Sequence, residues 1–322
     1  MNDHYKKLGT LLALILPFAL IGKVGYAQWV IGYVYLFLIQ GYVAWFLFFR
    51  TNQPFFGYSV TMALGAYSTA ILTGIYEWPL VLGILAGGVI ASAVAMLLFL
   101  STSRARGFYL SMISFLLAIM FPMLIDALRP ITGGRNGIYF RGLRDMWSRG
   151  GLFALIVGST VLAVAFLFWL MSTKTGKTFT LIAENDDLAQ AVGINTFKYK
   201  LLAYGIAGLI SGLGGALYVN YIGFISSIDV GVFTTTYITF IPIVGGSQLC
   251  YGPILGALIV FLLPDLLVPM ERFMDIIFGG VFVAIILLIP GGIAPGLERL
   301  VKWAYKRLVR RRHDCIKPET QL

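Results

Sequence analysis

The feature that most constrains this chain is a succession of about ten apolar stretches, each long enough to cross a membrane as a helix. A helix needs about 20 predominantly apolar residues to span the ~30 Å hydrocarbon core of a bilayer. Hydrophobic residues make up 59% of the 322 residues and charged residues 12%, about half of the charged share that is usual in soluble proteins. We therefore predict an all-α polytopic integral membrane protein. The predicted spans are residues 8–22, 29–49, 56–75, 80–100, 108–128, 152–171, 201–222, 230–248, 252–268 and 274–290.

The basic residues indicate how these spans are oriented. With the N-terminus in the cytoplasm, 17 of the 24 Lys and Arg residues fall in cytoplasmic segments, as the positive-inside rule requires. Both termini are then cytoplasmic. Residues 1–300 are predicted to form a single transmembrane domain, and residues 301–322 a basic tail that anchors the topology or contacts anionic membrane lipid. Membrane topology thus accounts for the net charge of +10, and no nucleic-acid partner is predicted.

The first 27 residues imitate a cleavable signal peptide, with two lysines, an apolar run and a small-residue site. Lys23 interrupts the site region, so a retained first helix is favoured over cleavage. The two cysteines, Cys250 and Cys315, both fall on the cytoplasmic side of this topology. No disulfide is expected there.

The longest polar interval between two spans covers residues 174–200. Its periodicity predicts one short amphipathic helix held against the membrane surface. The apolar side of that helix would carry Leu181, Ile182, Leu188, Ala189 and Val192, and the polar side Glu184, Asn185, Asp186, Asp187 and Gln190. Gly193 would end the helix, and Asn195 would cap the next one. Because the rest of the chain is so apolar, this interval is predicted to dock a soluble partner.

Several residues within the spans predict close packing or a transport path. A strip of small residues at spacings of three and four in the seventh span predicts a tight helix-packing face; it comprises Gly205, Gly208, Ser211, Gly212 and Gly215. Pro122 and Pro242 are predicted to interrupt helices on either side of the polar interval, an arrangement that often marks a transport path. Asp126, near a membrane boundary, is either a functional group or the ion-pair partner of Arg129.

The sequence lacks the residue patterns that enzymes usually use for catalysis. Gly176-Lys177-Thr178 imitates the end of a phosphate-binding loop, but Met171 occupies the position of the required first glycine, and the stretch follows a membrane helix rather than a strand. The two histidines lie in the terminal tails, so no metal or catalytic cluster is predicted. A membrane enzyme is therefore disfavoured. An ATP-independent secondary transporter or channel is harder to exclude, although the span centres carry essentially no carboxylates for ion coupling.

The polar interval also carries the residues of a known family. The segments ENDDLAQAVGIN (184–195) and YKLLA (199–203) resemble the cytoplasmic loop of the branched-chain amino acid permeases of ABC importers. Other similar segments are Gly65-Ala66-Tyr67, Arg106 to Tyr109, Thr132-Gly133-Gly134 with Gly137-Ile138, Gly212 to Tyr218, Gly245-Gly246, Gly252-Pro253 and Leu263 to Leu267. The similarity covers residues 55–295 and is strongest over 176–268. Its order and spacing look more like the second of the two permeases in such a system.

The resemblance implies a large-type ABC importer permease with a cytoplasmic coupling helix, in a bacterial or archaeal inner membrane. Its partners would be a homologous permease, two ATP-binding subunits and an extracytoplasmic solute-binding protein. This chain would bind no cofactor, since the partner ATPases use the ATP and Mg. The expected solutes are branched-chain amino acids, related small amino acids or amides such as urea.

Two sets of residues follow from the resemblance and the spacing together. The implied ATPase-coupling residues are Glu184, Asn185, Leu188, Ala189, Ala191, Gly193 and Ile194. The candidate helix-packing or translocation residues are Gly65, Tyr67, Pro122, Thr132, Gly133, Gly134, Gly208, Gly212, Gly215, Pro242, Gly245 and Gly246. Two departures from the family pattern leave the solute open. Residues 53–59, QPFFGYS, replace a Gly-Gln and Ser-Leu-Gly-His run, and the outer loop 129–149 carries five arginines.

Overall fold

The computed structural model describes residues 25–103, 108–140, 142–143, 148–246, 251–267, 274–288 and 291–296. The predicted first span, both cysteines and the basic tail lie outside these ranges. The helices with defined bounds are α1 Gly25–Trp45, α2 Tyr58–Gly74, α3 Leu80–Thr102, α4 Phe108–Ala127, α5 Arg129–Thr132, α6 Arg149–Ser172, α7 Lys174–Glu184, α8 Asp186–Ala191, α9 Thr196–Ile222, α10 Val232–Gly245, α11 Gly252–Leu267 and α12 Met274–Leu288. A π-helical turn, Phe46–Arg50, continues α1. Helices thus occupy the other nine predicted spans.

Six of the helical segments in the described ranges are long and apolar enough to cross a membrane, which confirms an all-α polytopic membrane protein. The most apolar windows of the α1 segment and of α9 are 89% and 78% buried inside the protein. The corresponding windows of α3, α4 and α6 are only 33%, 22% and 33% buried, although their mean hydropathy is higher. Helices α1 and α9 therefore form the centre of the bundle, and α3, α4 and α6 lie at its periphery.

The strip of small residues on α9 packs closely against neighbouring helices. A Cβ atom added at Gly65 of α2 would come closer than 3.0 Å to the carbonyl oxygen of Gly212 on α9. A Cβ at Gly215 would meet the carbonyl oxygen of Met62 in the same way. Since the obstructing atoms belong to the backbone, only glycine allows these two helices to approach so closely.

The prediction that two prolines interrupt their spans is wrong. Pro122 lies inside α4 and Pro242 inside α10, and both helices continue through the proline. The amide of Gly246 still donates to the carbonyl of Pro242 at 3.1 Å, beyond the end of α10. Membrane helices tolerate such prolines because neighbouring helices and local adjustments satisfy the backbone groups that proline leaves free.

The loops at the end of the bundle opposite residues 174–200 are tied together by a small antiparallel sheet. Strand β1, Ile138–Tyr139, follows α5 and a 3-10 turn, and pairs with β2, Phe224–Ile225, which follows α9. In the register of this pair Ile138 lies opposite Ile225. The segment after α4 is therefore fixed to the loop after α9. We call this end the outer end, after the orientation that the distribution of basic residues predicts.

Candidate functional site

Helix α7 fixes the start of the polar interval to the bundle. The hydroxyl of Thr173 caps the helix by accepting from the amide of Gly176 at 3.3 Å. Phe179 and Ile182 are buried, and the Phe179 ring lies 5.5 Å from that of Phe46. The amphipathic character predicted for this segment is thus realised as one apolar face packed against the end of α1.

The prediction of one continuous helix through this interval is wrong, because the helix is interrupted at Asn185. Asn185 has extended backbone angles, φ −157° and ψ 107°, and its side-chain oxygen accepts from the amide of Leu188 at 3.0 Å to start α8. The break changes the direction in which α8 presents its side chains. Leu188 and Val192, predicted to share the apolar face of Ile182, are instead 54% and 64% exposed.

The turn after α8 agrees with the prediction. Gly193 has φ +86°, a left-handed conformation that favours glycine, and the amide of Ile194 donates to the carbonyl of Ala189 at 3.0 Å. Asn195 then caps α9 by accepting from the amide of Lys198 at 3.1 Å. Of the predicted coupling residues, five are exposed: Glu184, Asn185, Leu188, Ala191 and Gly193. Ile194 is half-buried and Ala189 is fully buried.

One ion pair and one cavity define how α8 is held. The ammonium of Lys200 on α9 donates to a carboxylate oxygen of Asp186 at 2.8 Å, and both side chains are largely buried. An open cavity of 790 Å³ separates α8 from the ends of α3 and α4 and from residues 51–54. Helix α8 therefore presents Leu188 and Val192 outward while an open space lies on its inner side.

A second group of predicted residues gathers at the outer end. The hydroxyl of Thr132 donates to the carbonyls of Ile125 and Leu128 at 2.7 and 3.0 Å. Gly133 has φ +72°, and a Cβ there would also collide with the carbonyl oxygen of Gly137. This folded turn lies beside α4 near Tyr67 of α2, so Thr132, Gly133 and Gly134 shape the outer end.

The ion pair predicted between Asp126 and Arg129 is replaced by a different one. Asp126 lies 3.5 Å from the Nε atom of Arg135. Helix α4 ends at Ala127 and α5 begins at Arg129, and the Arg129 and Asp126 side chains both lie against Gly134 without forming an ion pair. The turn through Gly133 brings Arg135 back toward the carboxylate instead.

The remaining packing candidates lie at separate places. Gly208 and Gly212 contact the small residues of α3, where a Cβ at Gly208 would come within 2.6 Å of the Cβ of Ala95. Gly245 packs against Gly252 at the start of α11. Pro122 is half-buried on α4, whereas Pro242 is buried on α10. The structure thus divides the second predicted set among a helix-packing core, the outer end and the α10–α11 contact.

A buried polar network in the bundle centre was not predicted from the sequence. The amide of Gln40 on α1 donates to the carbonyl of Ser211 at 3.0 Å and accepts from the Ser211 hydroxyl at 2.7 Å. The hydroxyl of Thr61 on α2 lies 2.8 Å from that of Ser211. An isolated Gln within an apolar span was the available signal, since a buried amide requires partners from other helices.

Two buried tyrosines were also missed. Tyr58 and Tyr204 are fully buried, and their rings lie 5.4 and 5.2 Å from that of Phe55. Within the described part of the chain neither hydroxyl has a hydrogen-bond partner. Both residues line a narrow space that has no room for a water molecule. The buried hydroxyls therefore destabilise the fold, whereas the packed rings stabilise it.

Comparison with known proteins finds permeases of two transport systems. Over 236 residues the chain is 23% identical to the high-affinity branched-chain amino acid transport system permease protein LivM of Escherichia coli K12. The aligned region covers 65% of this chain and 56% of LivM. The chain is 28% identical over 195 residues to the autoinducer 2 import system permease protein LsrC of Escherichia coli SMS-3-5, covering 52% of this chain and 56% of LsrC. The chain thus spans about half the length of the curated relatives it matches. No solved structure matches it.

The family-level match covers most of the chain. The family described as branched-chain amino acid transport system, permease component, matches residues 29–289, which include every helix from α2 to α12. Its members are transport components and not enzymes. The resemblance carried by the polar interval and the glycine segments is therefore confirmed. This chain belongs to the family of branched-chain amino acid transport system permease components.

Proposed function

We propose that this chain is a transmembrane permease subunit of an ABC importer in a bacterial or archaeal inner membrane. It would work with a homologous permease, two ATP-binding subunits and an extracytoplasmic solute-binding protein. The partner ATPases would use ATP and Mg, and the N- and C-termini of this chain would be cytoplasmic. The proposed cargo is branched-chain amino acids or related small amino acids or amides such as urea.

The exposed face of α8 is the observation that carries this proposal. Leu188 and Val192 project outward from a six-residue helix that is bounded by Asn185 and the Gly193 turn. Exposed apolar side chains next to one another on an otherwise polar surface indicate a contact surface for another protein. A cleft in an ATPase subunit would cover them, which makes α8 the proposed coupling helix.

The supports of α8 suggest how force would be transmitted. The Asp186–Lys200 pair and the short turn at Gly193 join α8 directly to the start of α9, and the open cavity behind α8 leaves it room to move. ATP-driven closure of the ATPases would displace α8 and thereby α9. Since α9 packs on α2 and α3 through glycines, its displacement would re-pack the bundle and alternate access to the transport path.

The two relatives are named for different solutes, so the comparison alone does not decide which solute this chain transports. LivM is named for branched-chain amino acids and LsrC for autoinducer 2. We propose branched-chain amino acids because the family match and the LivM match both carry that description. Measuring which of these solutes stimulates ATP hydrolysis by the reconstituted complex would decide between them.

The docking surface is tested by the double substitution Leu188→Asp with Val192→Asp. Each side chain is expected to contribute about 1.5 kcal/mol or more when it is buried in a partner. Loss of about 3 kcal/mol corresponds to more than a hundredfold weaker association. We expect the variant to insert normally but to retain no ATPase subunit in a pull-down from detergent.

Thr175→Asp is the matched control, because it adds a carboxylate to the first turn of α7, where the helix dipole favours it. This variant should bind the ATPase like the wild type. Wild-type association of the double variant would contradict the docking proposal. Solute uptake in vesicles that lack the ATPase subunits, or uptake abolished by a protonophore at constant ATP, would instead favour a secondary transporter or channel.

A further inference from the structure

The open cavity behind α8 and the narrow space in the bundle are separated by a layer of aromatic rings. Phe99 of α3 lines the cavity, and its ring lies 5.0 Å from that of Tyr204 of α9, which lines the narrow space. The linker before α2 crosses between the same two spaces, because Pro54 lines the cavity and the next residue, Phe55, lines the narrow space. We call Phe55, Phe99 and Tyr204 the aromatic layer.

The aromatic layer closes the base of the cavity. Phe197, whose ring lies 5.4 Å from that of Phe99, also lines the cavity and is 44% exposed. Exposure then falls to 4% at Phe99 and to 0% at Tyr204. The Phe55 ring, 5.2 Å from that of Tyr204, belongs to a residue that is 3% exposed. Solvent that fills the cavity is therefore excluded from the narrow space by the thickness of a few rings.

Polar groups lie directly behind this apolar layer. The hydroxyls of Tyr58 and Tyr204 have no hydrogen-bond partner in the described part of the chain. The Thr61 side chain lines the same narrow space, and its hydroxyl lies 2.8 Å from that of Ser211, which donates to Gln40 at 2.7 Å. Buried polar groups usually have partners. These groups would acquire partners if water or a polar solute could enter the space.

Helix α9 connects the aromatic layer to α8. Lys200 lines the cavity and pairs with Asp186 of α8 at 2.8 Å, and Tyr204 lies one helical turn further along α9. A displacement of α8 would therefore act on the part of α9 that carries the Tyr204 ring. The narrow space is bordered there by small residues, Ala95 of α3 and Gly208 of α9, so that a modest separation of the two helices would widen it.

The size of the cavity and the chemistry of the layer fit a gate in a transport path. The cavity volume of 790 Å³ is within the range of small-molecule binding sites, about 300 to 1,000 Å³. Hydrophobic constrictions close such paths because water and polar solutes leave a narrow apolar passage. An amino acid could cross the aromatic layer only after the rings had moved apart.

We propose that Phe55, Phe99 and Tyr204 form the cytoplasmic gate of the transport path in this chain. The structure has the gate closed. When α9 moves, it carries the Tyr204 ring away from Phe55 and Phe99, and the hydroxyls of Tyr58, Thr61 and Tyr204 then bind water or the polar groups of the solute. The gate deepens the proposed function and rests on it for the solute and for the force that moves α9.

Labelling of a cysteine behind the aromatic layer tests the gate in the full-length chain in lipid nanodiscs. Thr61→Cys is introduced after both native cysteines have been replaced by serine, and the probe is 2-aminoethyl methanethiosulfonate, a small water-soluble thiol reagent. With the layer intact we expect labelling at least a hundredfold slower than that of Ser103→Cys, which lines the open cavity. Phe55→Ala with Phe99→Ala should accelerate the labelling of Thr61→Cys at least tenfold.

Phe197→Ala is the matched control, because it removes a ring from the cavity side of the layer and should leave the labelling of Thr61→Cys slow. Phe55→Leu with Phe99→Leu retains more of the apolar volume, and it should accelerate labelling several-fold even if the alanine pair does not fold. Equal labelling rates at Thr61→Cys and Ser103→Cys with the layer intact would overturn the gate. Labelling that no folded pair of substitutions accelerates would overturn it as well.

Opening of the gate is measured in the complete complex with the ATPase subunits. ATP, Mg and the solute-loaded binding protein should accelerate the labelling of Thr61→Cys at least tenfold over ADP. Tyr204→Phe should reduce this acceleration several-fold, because it removes a hydroxyl that has a partner only in the open state. Labelling that ignores ATP in a complex that still imports solute would overturn the gate and leave the proposed function intact. The ring substitutions need no ATPase, so their result is independent of α8 docking.

Discussion

Gly65→Ala is expected to destabilise the folded chain by about 3 kcal/mol, the upper part of the range for overpacked interiors. The added methyl group would collide with the backbone carbonyl of Gly212 on α9. This collision cannot be relieved by a shift of α2 toward α3, because Gly87 of α3 packs closely against the Gly65 carbonyl from that side. Thermal unfolding of the purified chain in detergent, followed by loss of monodisperse protein, measures the effect.

Gly158→Ala is the matched control for this experiment. Gly158 lies within α6, where a Cβ would meet no atom within 4 Å, and alanine is the better helix former. This variant should unfold at or slightly above the wild-type temperature. Equal unfolding temperatures for the Gly65 and Gly158 variants would show that α2 and α9 are not in close backbone contact.

Tyr58→Phe and Tyr204→Phe are expected to raise the unfolding temperature. A buried hydroxyl without a partner costs about 1 to 3 kcal/mol, and phenylalanine removes it while keeping the ring in place. Because both tyrosines border the same narrow space, the gains of the double variant need not be additive. The same thermal assay in detergent applies to both single variants and to the double variant.

Tyr221→Phe separates this effect from a general preference for phenylalanine. The Tyr221 hydroxyl donates to the carbonyl of Gln28 at 3.0 Å, so its removal should lower stability by about 1 kcal/mol. If Tyr58→Phe or Tyr204→Phe also lowered stability, the hydroxyl concerned would have to possess a partner, and the interpretation of the narrow space would be wrong.

The membrane spans were predictable because the property that defines them is local. A run of about 20 apolar residues specifies a crossing helix without reference to the rest of the chain. The Gly193 turn and the Asn195 cap were predictable for the same reason, since each depends on the conformational preference of one residue. The strip of small residues on α9 was recognisable from its spacing alone, although its partners on α2 and α3 were not.

The errors arose where one residue suits two local structures or where partners are distant in sequence. Asn185 fits the polar side of a continuous helix as well as the cap that starts a new one, so periodicity alone could not place the break before α8. Pro122 signals a helix break in water but not within a packed membrane bundle. The partner of Asp126 depends on the turn at Gly133, which a helical spacing rule does not describe.

The most buried helices of the bundle are less apolar than the peripheral helices, and this has a consequence for biosynthesis. Helices α3, α4 and α6 are apolar enough to enter lipid unaided, whereas α1 carries Gln40 into the membrane long before its partner exists. Ser211 is synthesised 171 residues later, which takes roughly 10 to 30 s at usual elongation rates. During that interval the amide of Gln40 must be satisfied by water, the insertion machinery or a temporary neighbour. The central helices of this chain can therefore take their final positions only after α9 has been made.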